Sequence, residues 1–243
     1  MSDLVKQMEK PAFLVEAEIE GMEEVKKHLV PSVIRIVQKM SSEELLSRFA
    51  VGQVVLLPEQ IALADHEDSV TFIPVYFYTE YCTWNPRSTR GSEPAIRARS
   101  FDPNSDVGIK ARNPDTWEEV HPDNAKEVIN HREHLNYMVV VQHKFAPPVP
   151  CVISFSSTQH MAGKQFSNLI AARNASIYAG KYELKTVKQS NAKGDWYGFD
   201  ISNAGWCDEG EHDLMQTLHH EIKEKQIVTD YAEPTEASES TDY

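Results

Sequence analysis

The stretch VTFIPVYFYTEYCTW, residues 70–84, constrains the fold more than any other in the chain. Its β-branched and aromatic residues read as one long strand. Successive strand side chains point to opposite faces, so Phe72, Tyr76, Tyr78 and Trp84 share one face while Ile73, Val75, Phe77 and Tyr81 share the other. Both faces are apolar. Either the chain covers this strand on both sides, or one face is left as a stacking surface or a subunit contact.

Further strands follow from VGQVVLL (51–57), LNYMVVVQH (135–143), CVISFSS (151–157), KYELKTVKQ (181–189) and DWYGFDIS (195–202). A helix is expected over 158–175, where Phe166, Leu169, Ile170 and Arg173 recur at helical spacing. Ahead of the strands, residues 1–50 read as helical: Ile19, Met22, Val25 and Leu29 keep the helical period, and Pro31 suits the first turn of a helix through Ile34 and Val37. Ser41 with Glu44 has the form of a capping box for EELLSRF. Residues 85–120 read as a long Arg-rich connection, 208–228 as a helix, and 229–243 as a disordered acidic tail.

The net charge of −13 argues against a phosphate-binding surface, but the charge is unevenly placed. Residues 144–194 carry +6 and residues 86–112 carry +3, whereas residues 208–243 carry −9. No apolar run approaches the length of a membrane span, and the N-terminus lacks the form of a signal peptide, so a soluble protein made and kept in a cytosol is expected. Cys82, Cys151 and Cys207 are odd in number, widely spaced and without a C-x-x-C pair, which favours free buried thiols over a zinc site.

The basic segment contains the hairpin KTVKQSNAKGDWYGF, residues 185–199. Alternation places Tyr197, Phe199 and Ile201 towards a core, leaving Trp196 outward beside Gly198, whose bare backbone would admit a base or sugar. Lys181 and Lys185 point outward from the preceding strand, and Lys188 and Lys193 flank the turn. Lysines for phosphates beside an indole for stacking are the ingredients of sequence-tolerant single-strand binding. An indole on such a strand is also a common core residue, and a lysine-rich turn is often merely solvated. Tyr78 and Trp84 offer further stacking surfaces, and Arg87, Arg90, Arg97 and Arg99 form a candidate flap over a bound strand.

Enzymatic signatures are missing. His131 and His134 have no third metal ligand at a recognisable spacing, HHEIKEK (219–225) lacks the order H-E-x-x-H, and there is no P-loop, G-x-G-x-x-G or G-x-S-x-G. Asp65, Glu67 and Asp68 read as a charged turn between strands. Neither a metal, a cofactor nor a catalytic residue is expected.

The order strand, strand, strand, helix, hairpin is that of an OB-fold barrel. The segments PVPCVISFSSTQHMAGKQFSNLI, YAGKYELKT and NAKGDWYGFDISNAGW, with the acidic tail TDYAEPTEASESTDY, resemble the single-stranded-DNA-binding proteins of tailed bacteriophages. The resemblance covers about a quarter of the chain, leaving out residues 1–50 and 85–135. It implies a β-rich α+β protein built on an OB-fold-like five-stranded barrel over 51–207, to which the reading of the residues adds the N-terminal helical section, the insert at about 85–120 and the C-terminal helix ahead of the tail. It also implies a non-enzymatic protein that coats single-stranded DNA in phage replication or recombination, with Asp242 and Tyr243 closing a tail that recruits partner proteins. The competing expectation is a phage structural or adapter protein that uses the barrel to bind protein.

Overall fold

The computed structural model describes residues 32–86, 94–144, 150–191 and 194–224. They form ten strands and four α-helices: β1 Val33–Ile36, α1 Glu43–Arg48, β2 Val54–Leu57, β3 Ile61–Ala64, β4 Ser69–Trp84, β5 Ile96–Ser100, α2 Asp106–Arg112, β6 Glu118–His121, β7 Asn124–Gln142, β8 Cys151–Phe155, α3 His160–Ala172, β9 Gly180–Asn191, β10 Gly194–Trp206 and α4 Glu209–Glu224. All ten strands belong to one mixed sheet in the order β10-β9-β4-β7-β8-β1-β2-β3, with β5 added to β4 and β6 to β7. The pairing of β1 with β8 is parallel and the other ladders are antiparallel.

This architecture corrects the expected five-stranded OB-like barrel. The sheet is open, because β10 and β3 stand at its two ends and do not pair. The expected N-terminal helix through Ile34 and Val37 is instead β1, whose Ile34 pairs with Leu56 and Ile153. Its run Val-Ile-Arg-Ile is rich in β-branched residues, which suit a pleated surface better than a helix. The Arg-rich connection also holds structure: β5 pairs with the far end of β4, while β6 extends along the first half of β7. The short helix α1 is present, but its cap is Ser42, whose hydroxyl accepts from Leu45 N at 3.4 Å.

Strand β4 is covered on both faces. Phe72 enters the core beneath α3, while Ile73 and Val75 enter a second core beneath α4. A bulge between Pro74 and Tyr76 reverses the alternation, so Phe77 then meets Tyr137 (ring centroids 4.8 Å apart) while Tyr76 and Tyr78 pack on the second core. Pro74 stands at this irregularity, where a central strand tolerates a missing N–H.

Phe166 of α3 fills the first core, its ring 4.6 Å from Tyr137, 5.0 Å from Tyr182 and 5.5 Å from Phe72. On the opposite face α4 buries Met215 and Ile222, and His219 Nδ1 lies 2.8 Å from the Val75 carbonyl. Along β7 and β8, Met138, Val140 and Val152 lie in that second core. Their same-face neighbours His134 and Ser154 lie beyond it, at the end of the sheet that carries the site.

Candidate functional site

At that end lies a cleft of about 870 Å³. Its floor is the sheet itself: Val55 of β2, Val33 and Arg35 of β1, Ser154 of β8 and His134 of β7. Trp84 and Asn85, at the end of β4, form one wall with Glu127, Asn130 and Arg132 of β7. Asp195 and Trp196 of β10, Gln38–Ser41, and the turn Ser156–Gln159 before α3 form the rest. Trp84 and Trp196, far apart in sequence, thus border one hollow.

Side-chain hydrogen bonds tie parts of the floor and of one wall together. Trp84 Nε1 donates to His134 Nε2 at 3.4 Å, and His134 Nδ1 lies 3.1 Å from Ser154 Oγ. Burial, and then the nearby guanidinium groups with Arg99 foremost, pull the His134 pKa down to about 3, so the ring is neutral. Arg132 is held by the carbonyls of Trp117 (2.7 Å) and His131 (2.9 Å), by Asn130 Oδ1 (3.0 Å) and by Ser157 Oγ (3.2 Å). Arg35, Lys39 and Arg132 face the acids Glu127 and Asp195 across otherwise apolar and amide-bearing walls. Such a surface can stack planar groups, accept or donate hydrogen bonds at their edges, and meet a few phosphates.

The residues singled out from sequence are dispersed. Trp196 is half-buried and lines the cleft, and its Nε1 is buried without a hydrogen-bond partner among the described residues. Trp84 lines it too, but Tyr78 is turned to the second core and to Phe101, 6.1 Å away. None of the described lysines of the set lines the cleft. Lys181 pairs with Glu211 at 2.6 Å, Lys188 with Asp195 at 3.1 Å and Lys185 with Asp200 at 3.4 Å. The acids Asp195 and Asp200 of the returning strand balance the hairpin's charge. Gly198 is not an open approach, because the Gln189 amide covers it; a Cβ there would lie 2.7 Å from Gln189 Nε2.

Arg99 pairs with Glu80 at 2.5 Å. Arg97 borders a second, smaller hollow of about 290 Å³ with Lys110, Glu119 and His131. Buried His131 bridges Thr83 Oγ1 (2.9 Å) and Glu119 Oε2 (3.1 Å), and burial lowers its pKa. Arg87, Arg90, Lys193, Asp242 and Tyr243 lie outside the described residues. The cleft residues that sequence reasoning missed are Arg35, Gln38, Lys39, Arg132, His134 and Gln159. Of these, Arg35 carried a signal as a lone charge inside a β-branched run, and His134 was weighed from sequence only as a metal ligand.

Among the described residues no group of three or more His, Cys, Asp or Glu could hold a metal ion, and no helix is long and apolar enough to cross a membrane. A family model for the Pam3 phage gp34-like protein matches residues 6–228. The chain belongs to the Pam3 phage gp34-like protein family. Membership makes it a bacteriophage protein, in keeping with the broader half of the resemblance, and carries no statement about single-stranded DNA. No curated protein and no solved structure matches the chain.

Proposed function

We propose that this phage protein binds single-stranded nucleic acid, DNA in replication or recombination, by laying unpaired bases into the cleft. The observation that carries this reading is that two indoles, Trp84 and Trp196, border one hollow with Arg35 and Lys39. Base–aromatic stacking is sequence-tolerant because every base has a flat face, and it contributes ~1–3 kcal/mol per base. Open sheet faces carrying aromatic side chains serve single-strand recognition in other folds.

The cleft is nearly neutral, with Arg35, Lys39 and Arg132 set against Glu127 and Asp195. Binding therefore rests more on stacking than on phosphate neutralisation, and the salt dependence is shallow. The test is a mobility-shift comparison of labelled oligo(dT) with a duplex of equal length at low salt. A shift of the single strand alone supports the reading. No shift at any protein concentration overturns it and favours the adapter reading, in which the apolar walls receive a peptide.

A further inference from the structure

Strand β10 ends the sheet, so one edge of it has no neighbouring strand among the described residues. Its other edge pairs continuously with β9, from Gly194 opposite Asn191 to Asn203 opposite Tyr182. An unpaired edge leaves alternate peptide groups in need of partners. At the cleft those partners are two glutamine side chains. Gln38 Nε2 donates to the Tyr197 carbonyl at 2.7 Å, and Gln38 Oε1 accepts from Tyr197 N–H at 3.0 Å. Gln159 Nε2 donates to the same carbonyl at 3.2 Å, and its Oε1 accepts from Phe199 N–H at 3.0 Å.

A primary amide offers one acceptor and a pair of donors, so each glutamine can do what a peptide group of a missing strand would do. The two come from different segments of the chain. Gln38 follows β1, fixed by Ser41 Oγ on its own N–H (2.9 Å) and by the neighbouring backbone bond from Val37 N to Gln53 O (2.9 Å). Gln159 ends the turn that leads into α3. Both line the cleft, and the peptide they grip is that of Tyr197, the residue after Trp196.

We infer that Gln38 and Gln159 are positioning residues, a latch that fixes the wall carrying Trp196 across the open seam of the sheet and so sets the indole for stacking. The inference rests on the proposed nucleic-acid reading of the cleft for its functional half. For its structural half it rests on the four hydrogen bonds alone. Without the latch, β10 is held near this point by its ladder to β9, by Phe199 in the first core and by Tyr197 against His66, and the Trp196 wall ahead of them gains freedom that a stacked base must then remove.

The experiment uses the full chain labelled with fluorotryptophan, whose four tryptophans give four fluorine NMR signals. The Trp196 signal is assigned with Trp196→Phe. In Gln38→Ala/Gln159→Ala the Trp196 signal shifts or broadens while those of Trp117 and Trp206 stay in place. Oligo(dT) binds roughly tenfold more weakly, from loss of a stacking contribution, with its salt slope unchanged. In a Trp196→Ala background the same two substitutions add no further loss. An unmoved Trp196 signal overturns the latch, and a loss that adds in full to that of Trp196→Ala overturns its action through the indole.

If the alanine pair fails to fold, Gln38→Glu/Gln159→Glu replaces it, keeping size and the acceptors while removing both donors to Tyr197. A general structural role would move all four signals together and would likewise contradict the inference. A wild type that binds no oligo(dT) removes the nucleic-acid reading, and the fluorine spectrum still decides the latch.

Discussion

Trp84 and His134 lie ring beside ring across β4 and β7, their centroids 5.7 Å apart, with the indole N–H directed at His134 Nε2. The neutral imidazole is part of the cleft floor, and its protonation is opposed by burial and by the nearby guanidinium groups of Arg99, Arg35 and Arg132. The unfolded chain takes up a proton as pH falls through about 6.5, and the folded chain does not until about pH 3. Stability is thus full above pH 6.5 and falls as pH drops through that window, by about 1.4 kcal/mol per unit for this one group. Urea midpoints at neutral pH and near pH ~5 should show the loss, and His134→Gln should flatten the slope by about one proton.

Lys185 and Lys188 carry their own counter-charges in Asp200 and Asp195. Replacing both by alanine should leave the slope of log affinity against log salt almost unchanged. Lys39→Ala, in the cleft, should flatten it by up to ~0.7 for each phosphate that the lysine neutralises. Salt-titrated binding curves decide between the two sets of cations.

Arg99 acts on Glu80, whose side chain is 13% exposed and whose carboxyl pKa burial raises despite the guanidinium. Arg99→Ala leaves that carboxylate uncompensated and should destabilise the fold by on the order of 3 kcal/mol at neutral pH. The check is chemical denaturation; a change below ~1 kcal/mol would show that Glu80 finds another partner or water.

Gly163 of α3 passes so close to β8 that a Cβ would stand 2.6 Å from the Phe155 Cβ, an atom fixed to the strand. Overpacking costs ~1–3 kcal/mol, against roughly 1 kcal/mol that alanine gains over glycine inside a helix. Gly163→Ala should therefore lower the melting temperature rather than raise it.

The strands with strong local patterns were legible in the sequence. CVISF, KYELKTVKQ and the helix around Phe166 stand where periodicity placed them, as β8, β9 and α3. The double burial of β4 was legible as well, since apolar residues on both faces of a strand need two covers. Three things were not. The four-residue β1 is too short to show a period, and its place depends on parallel pairing with β8, remote in sequence. The polar runs of β6 and early β7, such as Glu118-Glu119 and Asn124-Ala125-Lys126-Glu127, are strands because they pair with each other, with residues 118–121 exposed save His121. The basic segment 144–194 ends one position before Asp195, so a register-paired neutral ribbon looks cationic in the linear sequence. The placing of Trp84 and Trp196 on one cleft required the whole strand order, which no local signal carries.

The measurement that bears most directly on the cleft is tryptophan fluorescence titrated with oligo(dT) in the wild type, Trp84→Phe and Trp196→Phe. The account predicts saturable quenching at ~50 mM salt that persists in large part at ~200 mM, because few phosphates are engaged. It also predicts that each substitution removes a share of the quenching and weakens binding by ~1–3 kcal/mol. No quenching of the wild type, or quenching left unchanged by both substitutions, would contradict it.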